Sequence, residues 1–146
     1  MLHDLARLFP SDRLLAECAA RHIAIGEFER RNPIVLHAPL GAELARELFG
    51  VVDPGVLSAI RRHTLAAPAM SQLDAIVYLA DGLEPGRTFP EREAFERLAF
   101  SDLDAAMCAL LRSTCSYLIG RGLGAAPQTI AALAEYESLE RRALPA

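Results

Sequence analysis

VLHAPLGAELARELFG, residues 35–50, places leucine at 36, 40, 44 and 48 and closes on a glycine. That spacing lines the leucines along one side of an α-helix, and Gly50 can take the left-handed conformation that ends it, so the stretch predicts a helix over 35–49. The same two signals, apolar period and stop residue, extend the reading in both directions. Upstream, residues 2–9 resemble the tail of a helix halted near Pro10, because proline disfavours α geometry in the residue before it. Ser11 can cap a helix to about residue 22 with Leu14, Leu15, Cys18 and Ala19 inward, and 25–32 reads as a polar loop or short turn. Downstream, Asp53-Pro54 opens a helix to about residue 62. Ser71 and Asp74 form a capping-box pattern before Ile76, Val77, Leu79 and Ala80, in a short helix expected to be nearly buried. Ser101 and Asp104 repeat the pattern ahead of the longest helix, which ends near 120–122, and a last helix covers about 128–142. Residues 84–90 are the one notable linker. No stretch alternates as a strand should, and the fold class expected is all-α.

The chain has 146 residues, 52% of them hydrophobic and 23% charged, which predicts one core and one domain over 1–146. Its net charge of −4, from 15 basic and 19 acidic residues, disfavours a broad grip on nucleic acid but leaves room for a small anion held by local arginines. No apolar run reaches the length of a membrane span, and the first residues carry His3, Asp4 and Arg7 where a secretion signal would be apolar. Cys108 and Cys115 stand two helical turns apart, about 10 Å, too far to pair. A reduced, cytoplasmic setting with cysteines as small buried residues fits this pattern.

Three of the four histidines sit in distinctive contexts: Leu2-His3-Asp4, Leu36-His37-Ala38-Pro39 and Arg61-Arg62-His63-Thr64. Mixed imidazole and carboxylate sets suit hydrolytic centres built on zinc, iron or manganese. Asp81 follows the apolar run 75–80 and precedes Gly82. A carboxylate at the end of a buried helix calls for charge compensation, which a metal, a capping role or an arginine partner can each provide. Arg87, on the turn Glu84-Pro85-Gly86-Arg87, can fork onto phosphate oxygens. Arg7 lies one turn beyond His3 and Asp4 and can share their face.

In order along the chain, His3-Asp4-Leu5-Ala6-Arg7, Leu36-His37-Ala38-Pro39-Leu40-Gly41-Ala42, Ala59-Ile60-Arg61-Arg62-His63-Thr64 and Tyr78-Leu79-Ala80-Asp81-Gly82-Leu83-Glu84-Pro85-Gly86-Arg87 resemble the blocks of YqeK-type HD-domain phosphohydrolases, the symmetrical diadenosine-tetraphosphate hydrolases. The tyrosine-to-arginine block is the most specific, and the resemblance fades after about Leu118. It implies a helical HD fold and a single phosphohydrolase domain that splits diadenosine tetraphosphate into two ADP, with a divalent metal, iron first and manganese or another ion as alternatives, activating the attacking water. It implies that His3, Asp4 and Asp81 bind the metal, and that His37, His63 and Arg87 act at the phosphates. The substrate would be lined by Asp4, Leu5, Ala6, Arg7, His37, His63, Asp81 and Arg87, with a looser contact to base or ribose near 124–129.

Members of that family place a further helix or two, with the first metal-binding histidine, ahead of the His-Asp pair. This sequence begins at the pair, so the expectation is a site short of one ligand, for which His22 is a weak substitute. Two other readings follow: a non-catalytic nucleotide-binding or dimerising module, which leaves a homodimer open, and an HD phosphohydrolase acting on another nucleotide.

Overall fold

The computed structural model describes residues 2–143, and among them it is built from helices, with no strand. The α-helices are α1 (Ser11–Ala20), α2 (Glu27–Arg31), α3 (His37–Phe49), α4 (Pro54–Arg62), α5 (Gln72–Gly82), α6 (Arg92–Ala99), α7 (Leu103–Gly120) and α8 (Pro127–Ala143), with short 3-10 helices at Leu2–Asp4 and Pro33–Leu36. The chain divides into two compact units, Met1–Thr64 and Leu65–Ala146.

In the first unit α3 is the organising element. Leu36, Leu40 and Leu44 pack with Ala6, Leu14 and Cys18, and Ala42, Ala45 and Ile60 form a second cluster between α3 and α4. Leu14, Leu36 and Leu40 are fully buried, each contributing roughly 1.5–3 kcal/mol of transfer free energy. Leu48, the fourth leucine of the expected stripe, is 68% exposed, so the buried face of α3 stops a turn before the helix does. Gly50 ends α3 with φ +66°, and the Asp53 carboxylate accepts the Val56 N–H to start α4. Burial of Cys18 pushes its thiol up to about 11.

In the first unit the elements depart from the expectation in four places. Residues 2–9 are not an α-helical tail: bonds from Leu5 N to Leu2 O, Arg7 N to Asp4 O and Phe9 N to Ala6 O close three-residue turns. Pro10 disfavours α geometry at Phe9, so no α-helix runs from these turns into α1. Pro10 is the N-cap of α1, which makes Ser11 its first residue, and no side-chain cap bond forms there; Ala19 is exposed. The stretch 25–32 closes one helical turn, α2. The helix expected from residue 35 begins its α geometry at His37, after a 3-10 lead-in from Pro33.

In the second unit α7 packs against α5, α6 and α8. Its interior gathers Tyr78, Leu79, Met107, Cys108, Leu110, Leu111, Ala132 and Tyr136. The capping box of Ser71 and Asp74 is complete, with both reciprocal bonds made. Asp102, not Ser101, caps α7, accepting from Ala105 N. Helix α5 is less enclosed than expected: Ala75, Tyr78 and Leu79 are buried, while Ile76 is 47% exposed. Cys18, Cys108 and Cys115 are all buried and free. No helix among the described residues is long and apolar enough to cross a membrane.

Candidate metal and phosphate site

Four of the expected site residues come together in the first unit. His3 and Asp4 lie on the opening 3-10 turn, where three residues per turn separate neighbouring side chains by about 120°. Ala6 is fully buried and anchors that turn in the core, so it can offer a ligand only its backbone; Leu5 packs half-buried on both apolar clusters. The turn also leans on α3. A Cβ added at Gly41 would sit 3.2 Å from the His3 carbonyl oxygen, so the glycine admits the backbone that carries the His-Asp pair.

His37 opens α3 and His63 follows the last turn of α4, both nearly sealed from water. Each ring is steered by the carbonyl three residues before it: His37 Nδ1 lies 2.6 Å from Ile34 O, and His63 Nδ1 lies 2.7 Å from Ile60 O. A carbonyl only accepts, so both Nδ1 atoms carry the proton, and in the neutral rings both Nε2 atoms are acceptors. Those two Nε2 atoms are 3.1 Å apart, at 3.5 and 3.8 Å from Asp4 Oδ1. The other Asp4 oxygen lies 3.3 Å from His3 Nε2.

Lone pairs and a carboxylate thus converge on one point, a demand that a cation satisfies. His3, Asp4 and His63 each offer one ligand atom within 4.8 Å of the others. This donor set of imidazole and carboxylate fits a divalent transition metal. Burial holds the His37 imidazole below its usual range; the Ile34 carbonyl opposes that, the neighbouring His63 and Arg7 add to it, and Asp4 opposes it weakly. Arg7 is exposed and close enough to bear on His37 electrostatically. His22 is exposed at the end of α1, with φ +56°, and is outside this group of ligand atoms.

Asp81 and Arg87 belong to the second unit. Asp81 is half-buried in the last turn of α5, where Arg87 Nη2 donates to its Oδ2 at 3.0 Å. The arginine partner that local sequence allowed for Asp81 is therefore present, and it is the other expected site residue. The turn that delivers it is closed by Arg87 N donating to Glu84 O at 2.9 Å. Thr129, in the stretch loosely matched to base or ribose, is buried and donates to Leu65 O at 2.6 Å.

Sequence reading missed three contributors: the carbonyls of Ile34 and Ile60, the gap at Gly41, and the Thr64 hydroxyl, 3.2 Å from both His37 Nε2 and His63 Nε2. The repeated spacing Ile-x-x-His at 34–37 and 60–63 was the available signal.

The HD domain family matches residues 1–86. The chain is 35% identical to a symmetrical bis(5'-nucleosyl)-tetraphosphatase of Halalkalibacterium halodurans, the match covering 88% of this chain and 79% of the relative. It is 33% identical to the protein of the same description from Bacillus subtilis, over 88% of this chain and 69% of the relative. Among solved structures, a Clostridium acetobutylicum protein described as a predicted HD superfamily hydrolase involved in NAD metabolism superposes with a TM-score of 0.90 at 33% identity, covering 94% of this chain and 73% of that one.

Proposed function

Since the chain belongs to the HD-domain family of metal-dependent phosphohydrolases, we propose that it cleaves diadenosine tetraphosphate symmetrically into two ADP. The observation that carries the reading is the convergence of His3, Asp4 and His63 beside a second acceptor imidazole, His37. The identity of the tetraphosphatases it resembles supplies the substrate class.

His3, Asp4 and His63 would hold a divalent ion, iron first and manganese next; Asp81 is assigned to the same ion on its sequence block. When bound, such an ion lowers the pKa of a water and draws charge from a phosphoryl oxygen. The chain's own residues supply the rest. His37, with its Nδ1–H committed to Ile34, presents Nε2 as an acceptor suited to drawing a proton from an attacking water. Acting as a donor to phosphate would require a protonated ring, which burial opposes. Arg7 and Arg87 offset the charge that grows on the phosphoryl oxygens, Arg87 by exchanging Asp81 for phosphate. The free, buried cysteines suit a cytoplasmic setting.

The test is elemental analysis of protein purified without chelator, joined to product analysis with diadenosine tetraphosphate. Near-stoichiometric iron or manganese with two ADP is the expected result. AMP plus ATP, or orthophosphate from a mononucleotide, would move the substrate; nucleotide binding with no metal and no product would leave a binding module.

A further inference from the structure

Thr64 closes the first unit one residue after His63, and no sequence signal gave it a role. Its Oγ1 lies 3.2 Å from Nε2 of His37 and 3.2 Å from Nε2 of His63, and those two nitrogens are 3.1 Å apart. The three atoms form a nearly equilateral triangle. Both rings have given their Nδ1–H to a carbonyl, so in the neutral state neither has a proton to offer the other, and two lone pairs face each other at hydrogen-bond distance. Such a contact is repulsive unless something supplies a proton or a positive charge. Asp4 supplies neither as a carboxylate. A hydroxyl is the smallest neutral group that can, and rotation about Cβ–Oγ lets one hydroxyl serve either ring.

We propose that Thr64 is a positioning residue, whose hydroxyl donates to Nε2 of His37 or His63 and holds the two imidazoles at the spacing the site uses. When His63 Nε2 engages an ion, the hydroxyl turns to His37 Nε2 and fixes that ring until an attacking water replaces it as the donor to the single Nε2 lone pair. The second step rests on the proposed role of His63 as an ion ligand; the first does not.

The test compares wild type with Thr64→Val, which keeps the shape and loses the donor, and Thr64→Ser, which keeps the donor. Thr64→Ala stands in if the valine variant does not fold. Three readouts are needed. In metal-free protein, imidazole 15N resonances followed by long-range proton correlation report whether each Nε2 accepts a hydrogen bond. Calorimetric titration with Mn(II) reports affinity, and kcat and KM are measured on the same samples.

The expected result is that Thr64→Val moves the Nε2 resonances of His37 and His63 toward the unbonded value and weakens Mn(II) binding roughly three- to tenfold. Its kcat falls while KM stays near wild type, and Thr64→Ser restores all of these. Unmoved Nε2 resonances in Thr64→Val overturn the proposal, as does wild-type Mn(II) affinity in that variant, or a serine variant that behaves like valine. If wild type itself binds no Mn(II), the functional reading fails, and the metal-free resonances still decide the role of Thr64.

Discussion

Asp74 and Thr129 in the second unit and His37 and His63 in the first are all at most 4% exposed, yet their polar atoms are turned to different partners. Asp74 Oδ2 and Thr129 Oγ1 face the backbone: Asp74 Oδ2 accepts from Ser71 N at 2.8 Å, and Thr129 Oγ1 donates to Leu65 O. Each joins chain segments and satisfies a helix start or a loop. The histidines give one nitrogen to the backbone in the same way, then aim the other at side chains, at each other, Asp4 and Thr64. A buried polar atom that ends on backbone explains itself by structure. The cluster of His37, His63, Asp4 and Thr64 instead gathers side-chain groups around one another where a cation or proton would be held, and that gathering marks the first unit as the place for chemistry.

Asp4→Asn gives the strongest test of that contrast. It keeps the size of the side chain and removes its charge, so metal content should collapse and turnover should fall by at least about 100-fold, with the melting temperature little changed. Retained metal in this variant would break the comparison. Gly41→Ala sharpens it. A helical alanine is worth roughly 0.5–1 kcal/mol over glycine, which should offset the tight approach to His3 O and leave stability near wild type, while Mn(II) affinity falls roughly tenfold because the His-Asp turn is displaced.

Ser71→Ala probes the opposite case. It removes the acceptor for Asp74 N, and denaturant titration should show a loss of about 1 kcal/mol with metal content unaltered. The smallest effect concerns Cys18. Burial favours its neutral thiol, so its contribution to stability is whole below its ordinary pKa of 9.0 and is lost as pH climbs toward about 11. Melting temperatures of wild type should therefore fall more steeply across that window than those of Cys18→Ala.

Much of the helical plan was legible because its signals are local. Gly50, the Asp53-Pro54 start and the Ser71/Asp74 box all act within four residues of themselves, and each does what its chemistry predicts. Where two neighbours could both cap, as Ser101 and Asp102 could, the choice depends on which residue turns extended. Asp102 does, with φ −150° and ψ 99°, after Ser101 N bonds back to Leu98 O at the end of α6. That geometry belongs to α6, a helix absent from the sequence-based expectation. The exposure of Leu48 and Ile76 likewise depends on what packs nearby, which a period of four does not state.

The site residues were legible as residue types and in order, and their grouping was not. His37 and His63 are 26 positions apart, and nothing in either block says that both Nε2 atoms meet. Their meeting also adds a second candidate role for His63. The resemblance gave it to phosphate, and its nitrogen also shares a 4.8 Å group with His3 and Asp4. Asp81 shows the reverse case: its arginine partner was foreseeable from six residues away, because the Glu84–Arg87 turn is short enough to bring the guanidinium back.

The carbonyls of Ile34 and Ile60 have a kinetic meaning as well. A ring tied to its own helix has lost its rotational freedom before any ion is near, so the entropy of fixing it belongs to folding and not to capture. Two of the converging nitrogens therefore need no search of rotamers when an ion arrives. Loading should be governed by encounter and by the shedding of water from the ion, and should speed up in proportion to ion concentration without a plateau from side-chain rearrangement.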